Sequence, residues 1–207
     1  MIVSFIRHGS TTWNEERRMQ GRRDVPLSER GRAQVSAWRL PAECTGAPVS
    51  WVSSPLRRAV ETAEILCGGA PSLEAALIEM DWGDWEGLRR DELRERHGAE
   101  FERNEARGLD FRPPGGESPR DVLERLRPWL ARAALSPTPV VAVTHLGVLR
   151  VVLAAATGWD MTGKAPVRLQ RDALHRFAVD QRGRVSMVLC NVALAADQGV
   201  GAPKPTR

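Results

Sequence analysis

The run Val140-Val141-Ala142-Val143 offers no polar side chain to water, so both of its faces must be covered by other parts of the chain. Pro139 and Thr144 bound it, and a helical pattern over residues 146–156 follows at once. A fully buried strand feeding a helix is the building unit of a sheet with helices on both sides. The same grammar recurs along the chain. Residues 2–6 read as another buried strand. Pro26-Leu27-Ser28 leads into a helix, with Ser28 as N-cap before Glu29 and an amphipathic run to about Leu40. Val49-Ser50-Trp51-Val52-Ser53 reads as a strand, and Ser54-Pro55 opens a helix through Leu66 with proline in its first turn. A helix is expected over 117–135, with Pro128 kinking or splitting it. Strands around 173–179 and 184–190 flank a Gln181-Arg182-Gly183 turn.

The expected fold is therefore α/β, a three-layer α/β/α arrangement with a mostly parallel sheet covered by helices on both faces. A chain of 207 residues supports one domain, placed at 1–196. Within it, 80–116 is rich in tryptophan, charge, glycine and proline and is expected to form a helical insertion or lid. Residues 197–207 have no pattern and are expected to be a frayed tail.

Composition excludes more than it selects. With 42% hydrophobic and 27% charged residues the chain is not a disordered one. Its net charge of +4 suits an anionic substrate. The arginines are spread along the chain and tyrosine is absent, unlike the clustered basic stripe of a nucleic-acid binder. Cys44, Cys67 and Cys190 have the spacing of neither a zinc site nor a disulfide framework, which fits a reducing compartment. No basic-then-apolar leader and no membrane-length apolar run is present, so a cytoplasmic protein with no membrane partner is expected. The sequence leaves the oligomeric state open, a homodimer included.

Chemistry concentrates at strand ends. The first strand runs into Arg7-His8-Gly9, the second into the segment carrying Arg58, and the run at 140–144 into His145. In open α/β sheets ligands collect at the carboxyl ends of strands, so these side chains are expected to converge. Taken singly each is ordinary. A lone histidine is more often structural, a lone helix arginine more often solvated, and Glu79 is one acid among many. An imidazole beside a guanidinium, followed by small hydroxyl donors, suggests handling of a phosphate group.

Six blocks in order resemble the histidine phosphatase superfamily, which includes the cofactor-dependent phosphoglycerate mutases. They are Arg7-His8-Gly9-Ser10-Thr11-Thr12-Trp13-Asn14; Gln20-Gly21 with Asp24, Pro26-Leu27-Ser28 and Gly31; Ser54-Pro55-Leu56-Arg57-Arg58-Ala59; Leu77-Ile78-Glu79 with Gly83-Asp84-Trp85-Glu86-Gly87; Pro114-Gly115-Gly116-Glu117-Ser118; and Val143-Thr144-His145. The resemblance implies that His8 takes the phosphoryl group, its other ring nitrogen donating to a backbone carbonyl. Arg7 and Arg58 hold phosphate oxygens, and His145, if protonated, adds charge. Glu79 protonates the leaving oxygen and then activates water, with Glu86 and Asp81 as rival acids. Asn14, with Ser10, Thr11, Gln20 and Gly21, is assigned to substrate binding. No metal and no cofactor is implied.

One departure from the resembled pattern is Leu146 directly after the second histidine, with glycine one place later at Gly147. The segment from Glu79 to His145 is short beside that of the mutases, which favours water as the acceptor. The expected activity is hydrolysis of a small phosphorylated metabolite, with likeness to α-ribazole and broad-specificity phosphatases. Mutase activity is the runner-up. A phospho-ligand-binding module that has lost catalysis is the alternative from another class, and all its catalytic positions are intact.

Overall fold

The computed structural model describes residues 1–45 and 48–194. The tail expected over 197–207 lies outside the described residues. The sheet has six strands: β1 (Ile2–Arg7), β2 (Ser50–Ser53), β3 (Ser72–Leu73), β4 (Val140–Thr144), β5 (Ala173–Val179) and β6 (Val185–Ala193). Their order is β3-β2-β4-β1-β5-β6. β3, β2, β4 and β1 run parallel, while β5 and β6 join antiparallel at one edge. The sheet is thus mixed and mostly parallel.

Alternation along the strands divides the core in two. Val3 and Phe5 of β1, with Val140 and Ala142 of β4, face one side. There they meet α5 (Pro119–Ala133) and α6 (Leu146–Thr157) through Leu126, Trp129, Leu130, Val148 and Val152. Phe5 sets its ring edge-on to Trp129 at 6.0 Å and to Phe177 at 5.9 Å. Ile6, Val141 and Val143 face the other side, against α2 (Glu29–Ser36) and α3 (Arg57–Cys67), where Val35, Ala59 and Ala63 are buried. A period of two in the strands therefore produces three layers.

Helix ends account for the differences from the sequence reading. α2 stops at Ser36, short of Leu40. α3 begins at Arg57, because Leu56 is still extended at φ −70° and ψ 134°. Ser54 and Pro55 therefore stay in the loop ahead of the helix. Pro128 does not split α5, which runs unbroken to Ala133. Pro128 and Glu124 are both exposed, so the carbonyl left without its N–H partner lies on the watered side while Leu126, Trp129 and Leu130 hold the other face.

The stretch 80–116 contains a 3-10 turn at Gly83–Trp85, the helix α4 (Arg90–Glu105) and a second 3-10 turn at Gly108–Asp110. α4 breaks direction at Gly98, whose φ is 45° and ψ −120°. The four-residue helix α1 (Thr12–Glu15) follows β1. Trp85 packs against Phe101 at 5.2 Å and Phe111 at 5.8 Å, so this tryptophan is spent on packing the insertion onto the core.

Candidate active site

Register brings three chain exits to one level. Arg7 pairs with Thr144 and Ser53 with Val143, and the ladders continue through His8 N to Thr144 O at 3.0 Å and Ser54 N to Val143 O at 3.0 Å. His8, Ser54 and His145 leave the sheet side by side at its carboxyl edge. The rings of His8 and His145 lie 5.1 Å apart.

His8 is buried, and its Nδ1 lies 2.7 Å from the Gly9 carbonyl oxygen. That oxygen can only accept, so Nδ1 carries the hydrogen and Nε2 keeps a lone pair. Burial, then the neighbouring Arg7 and Arg58 charges, hold the imidazole pKa well below its usual value. A neutral imidazole with an unprotonated Nε2 is a nucleophile. Thr62 fixes the turn by accepting from Gly9 N at 3.0 Å while donating to the Arg58 carbonyl at 2.7 Å.

Arg58 is wholly buried and pinned by three bonds: Nε to His145 Nδ1 at 3.3 Å, one terminal nitrogen to Arg23 O at 2.7 Å and the other to Gly21 O at 2.7 Å. Each terminal nitrogen retains a second hydrogen for an anion. Arg7 is different. It is buried, its Nε has no partner, and no hydrogen bond or ion pair ties its guanidinium to another described residue. Burial, followed by repulsion from Arg171, lowers its pKa to about 10. A buried cation without partners is costly, and an incoming anion is what would relieve it.

His145 is engaged at both ring nitrogens. Its Nδ1 accepts from Arg58, so Nε2 bears the hydrogen and donates to Ser54 Oγ at 2.7 Å. Burial and then the Arg58 charge keep it neutral, its pKa well below the usual value. In this state it orients Arg58 rather than adding a positive charge.

The Glu79 carboxylate is buried and accepts from Met80 N at 2.9 Å and from Gly147 N, in the first turn of α6, at 3.2 Å. It is close enough to act electrostatically on both Arg7 and Arg58. The rival acids are otherwise engaged. Glu86 Oε1 accepts from Arg22 N at 2.6 Å, and Asp81 accepts from Gly83 N at 2.8 Å.

The residues assigned to substrate binding divide. Ser10 Oγ donates to Gln34 at 3.2 Å, toward α2, and Thr11 Oγ1 donates to Gln20 Oε1 at 3.0 Å while accepting from Asn14 N at 3.1 Å. Both hydroxyls are hydrogen-bonded within the protein. Gly21 contributes its carbonyl to Arg58. Asn14 Oδ1 accepts from Thr11 N at 3.2 Å, which leaves the amide nitrogens of Asn14 and Gln20 as the available donors of this group. Ser54, Thr62 and Arg171 were not singled out by the sequence. Ser54 sits inside a recognised block and Thr62 one helical turn after Arg58, so both carried a signal; Arg171 carried none.

Among the described residues no helix is long and apolar enough to cross a membrane, and no group of three or more His, Cys, Asp or Glu side chains is placed to hold a metal ion. The family model described as histidine phosphatase superfamily, branch 1, matches residues 3–192. A glucosyl-3-phosphoglycerate phosphatase of Mycolicibacterium vanbaalenii is 38% identical over 179 residues, covering 77% of each chain. A 2,3-bisphosphoglycerate-dependent phosphoglycerate mutase of Beijerinckia indica is 31% identical, covering 76% of this chain and 81% of its own. A mycobacterial glucosyl-3-phosphoglycerate phosphatase solved with VO3 superposes with a TM-score of 0.76 at 31% identity, over 93% of this chain and 99% of that one.

Proposed function

We propose, proceeding from the fact that this chain belongs to the histidine phosphatase superfamily, that it is a phosphatase releasing phosphate from a small phosphorylated metabolite through a phosphohistidine at His8. The observation that carries the reading is the pairing of a neutral His8 nucleophile with the unpartnered buried guanidinium of Arg7. In the first step the Nε2 lone pair attacks phosphorus and the P–O ester bond breaks. Glu79 gives its proton to the departing oxygen. Arg7 and the remaining hydrogens of Arg58 hold the phosphoryl oxygens as charge spreads over them. In the second step water attacks phosphorus, Glu79 takes the water's proton, the P–N bond breaks, and His8 regains its lone pair. Asn14 and Gln20 are positioned by Thr11 to donate from their amide nitrogens.

A mutase shares the first step and differs in its acceptor. The short passage from Glu79 to His145, occupied mainly by α4 and α5, supports water. The relatives make glucosyl-3-phosphoglycerate a better first ester to test than α-ribazole phosphate. The working setting is the cytoplasm, with no metal, nucleic acid or membrane required and a homodimer compatible with the reading. Rapid-quench trapping with a 32P-labelled ester is expected to give an acid-labile phosphoprotein in the wild type and none in His8→Ala. Full turnover by His8→Ala, or conversion of phosphoglycerate isomers without phosphate release, would overturn the reading.

A further inference from the structure

Arg171 lies in the loop just before β5 and is exposed. β5 pairs antiparallel with β1, Leu174 opposite Ile6, so the loop carrying residue 171 lies at the carboxyl end of β1, which His8 follows. The loop is held on both sides of it. Gln170 N donates to Asn191 Oδ1 at 2.8 Å, Asn191 Nδ2 donates to Arg168 O at 3.1 Å, and Leu194 N donates to Asp172 O at 2.9 Å. Arg171 is thus carried on a stitched segment and placed at the rim of the phosphoryl site.

Other rim cations have carboxylate partners. Arg22 is bound by Glu117 at 2.8 Å, Arg23 by Glu86 at 3.4 Å and Arg125 by Glu117 at 3.2 Å. Arg171 has no hydrogen bond or ion pair among the described residues. Instead it lies near enough to Arg7 to be the charge that most disfavours its protonated form, and it acts the same way on the neutral imidazole of His8. Arg7 and Arg58 already serve the phosphoryl group. A third cation held near Arg7, without a carboxylate partner among the described residues, suits an anion beyond the ester.

We propose that Arg171 binds a second anionic group carried by the substrate, and so selects phosphomonoesters that bear one. This rests on the phosphatase reading above. A carboxylate and a second phosphoryl group share the required chemistry, and matched esters separate them: 3-phosphoglycerate against glycerol 3-phosphate, and fructose 1,6-bisphosphate against fructose 6-phosphate. Arg171→Gln is expected to lower kcat/KM for the doubly anionic member of at least one pair by about tenfold relative to its partner, mainly through KM, as loss of a rim charge-assisted bond implies. Arg171→Lys should restore part of the discrimination, and added salt should erode it in the wild type. An equal change for both members of both pairs, or no change, overturns the inference and leaves phosphoryl transfer standing. If the wild type releases phosphate from no ester, the phosphatase reading fails. Calorimetric Kd values for the same pairs on His8→Ala, with and without Arg171→Gln, then still decide the role of Arg171.

Discussion

The Gly147 amide nitrogen lies 3.2 Å from Glu79 Oε2, and a Cβ at position 147 would fall 2.3 Å from Glu79 Oε1. The acid is therefore seated against the first turn of α6 at a spot where only a hydrogen fits. This gives the displaced glycine a purpose: the chain carries Leu146 after the second histidine, and the glycine one residue later makes room for the carboxylate. Gly147→Ala is expected to push Glu79 aside and lower kcat for alkyl phosphates by about tenfold to a hundredfold, within the range general acids contribute. The loss should be much smaller for p-nitrophenyl phosphate, whose leaving group needs no proton. Equal losses on both esters would mean that Gly147 supports something other than the acid.

Stability should fall on mild acidification. His8, His145 and His175 all have folded pKa values depressed, chiefly by burial. Above about pH 6.5 both folded and unfolded forms of these groups are neutral and contribute no pH dependence. Below it the unfolded chain takes up protons that the folded protein refuses, so unfolding is favoured as pH drops toward the folded pKa values. Each histidine in that window adds about 1.4 kcal/mol per pH unit to the slope. Urea melts between pH 7.5 and 5 check this, and a flat midpoint would contradict the neutral buried state of the two site histidines.

How much of this was legible beforehand depends on the kind of signal. β4 could be read because an unbroken apolar run has few alternatives, β1 because its run is broken only by Ser4, and His8 and His145 because each falls just past such a run. Helix starts were less secure, since Pro55 fits a first helical turn by its φ and only Leu56, held extended, shows that the turn has not begun. Ser10 and Thr11 are hard to place for a related reason: adjacency to His8 along the chain does not say which way a hydroxyl faces once α1 is capped. Arg171 is one of many arginines, and only the antiparallel pairing of β5 with β1 brings its loop to the strand end that His8 follows. Long-range pairing is what a single sequence conceals.

The loop at Gly21 is held as tightly as the acid. Gly21 has φ +50°, its carbonyl accepts from Arg58, and a Cβ there would lie 1.9 Å from Glu86 Oε1. Gly21→Ala is expected to shift the loop, loosen Arg58 and weaken vanadate binding by about tenfold, the worth of one charge-assisted bond. Thermal stability should drop by about 1–3 kcal/mol through the strained backbone and the displaced carboxylate. Calorimetric titration with vanadate and a denaturant melt measure the two effects. Unaltered vanadate affinity would detach this carbonyl from the function of Arg58.

Arg7 offers the sharpest test, because its two expected effects have opposite signs. Its buried guanidinium lacks any hydrogen-bond or ion-pair partner among the described residues and is repelled by Arg171, so it destabilises the protein when no anion is present. Arg7→Met fills similar space without burying a charge. In phosphate-free buffer it is expected to gain about 1 kcal/mol, read as a rise of about 2–4 °C in melting temperature. The wild type should gain stability on adding vanadate while the variant gains little, so the two melting curves should cross as the anion is titrated. Turnover should be lost in the variant at every concentration. A variant less stable than the wild type without anion would show that Arg7 holds the fold together, and that its burial beside His8 is structural rather than a readiness for phosphate.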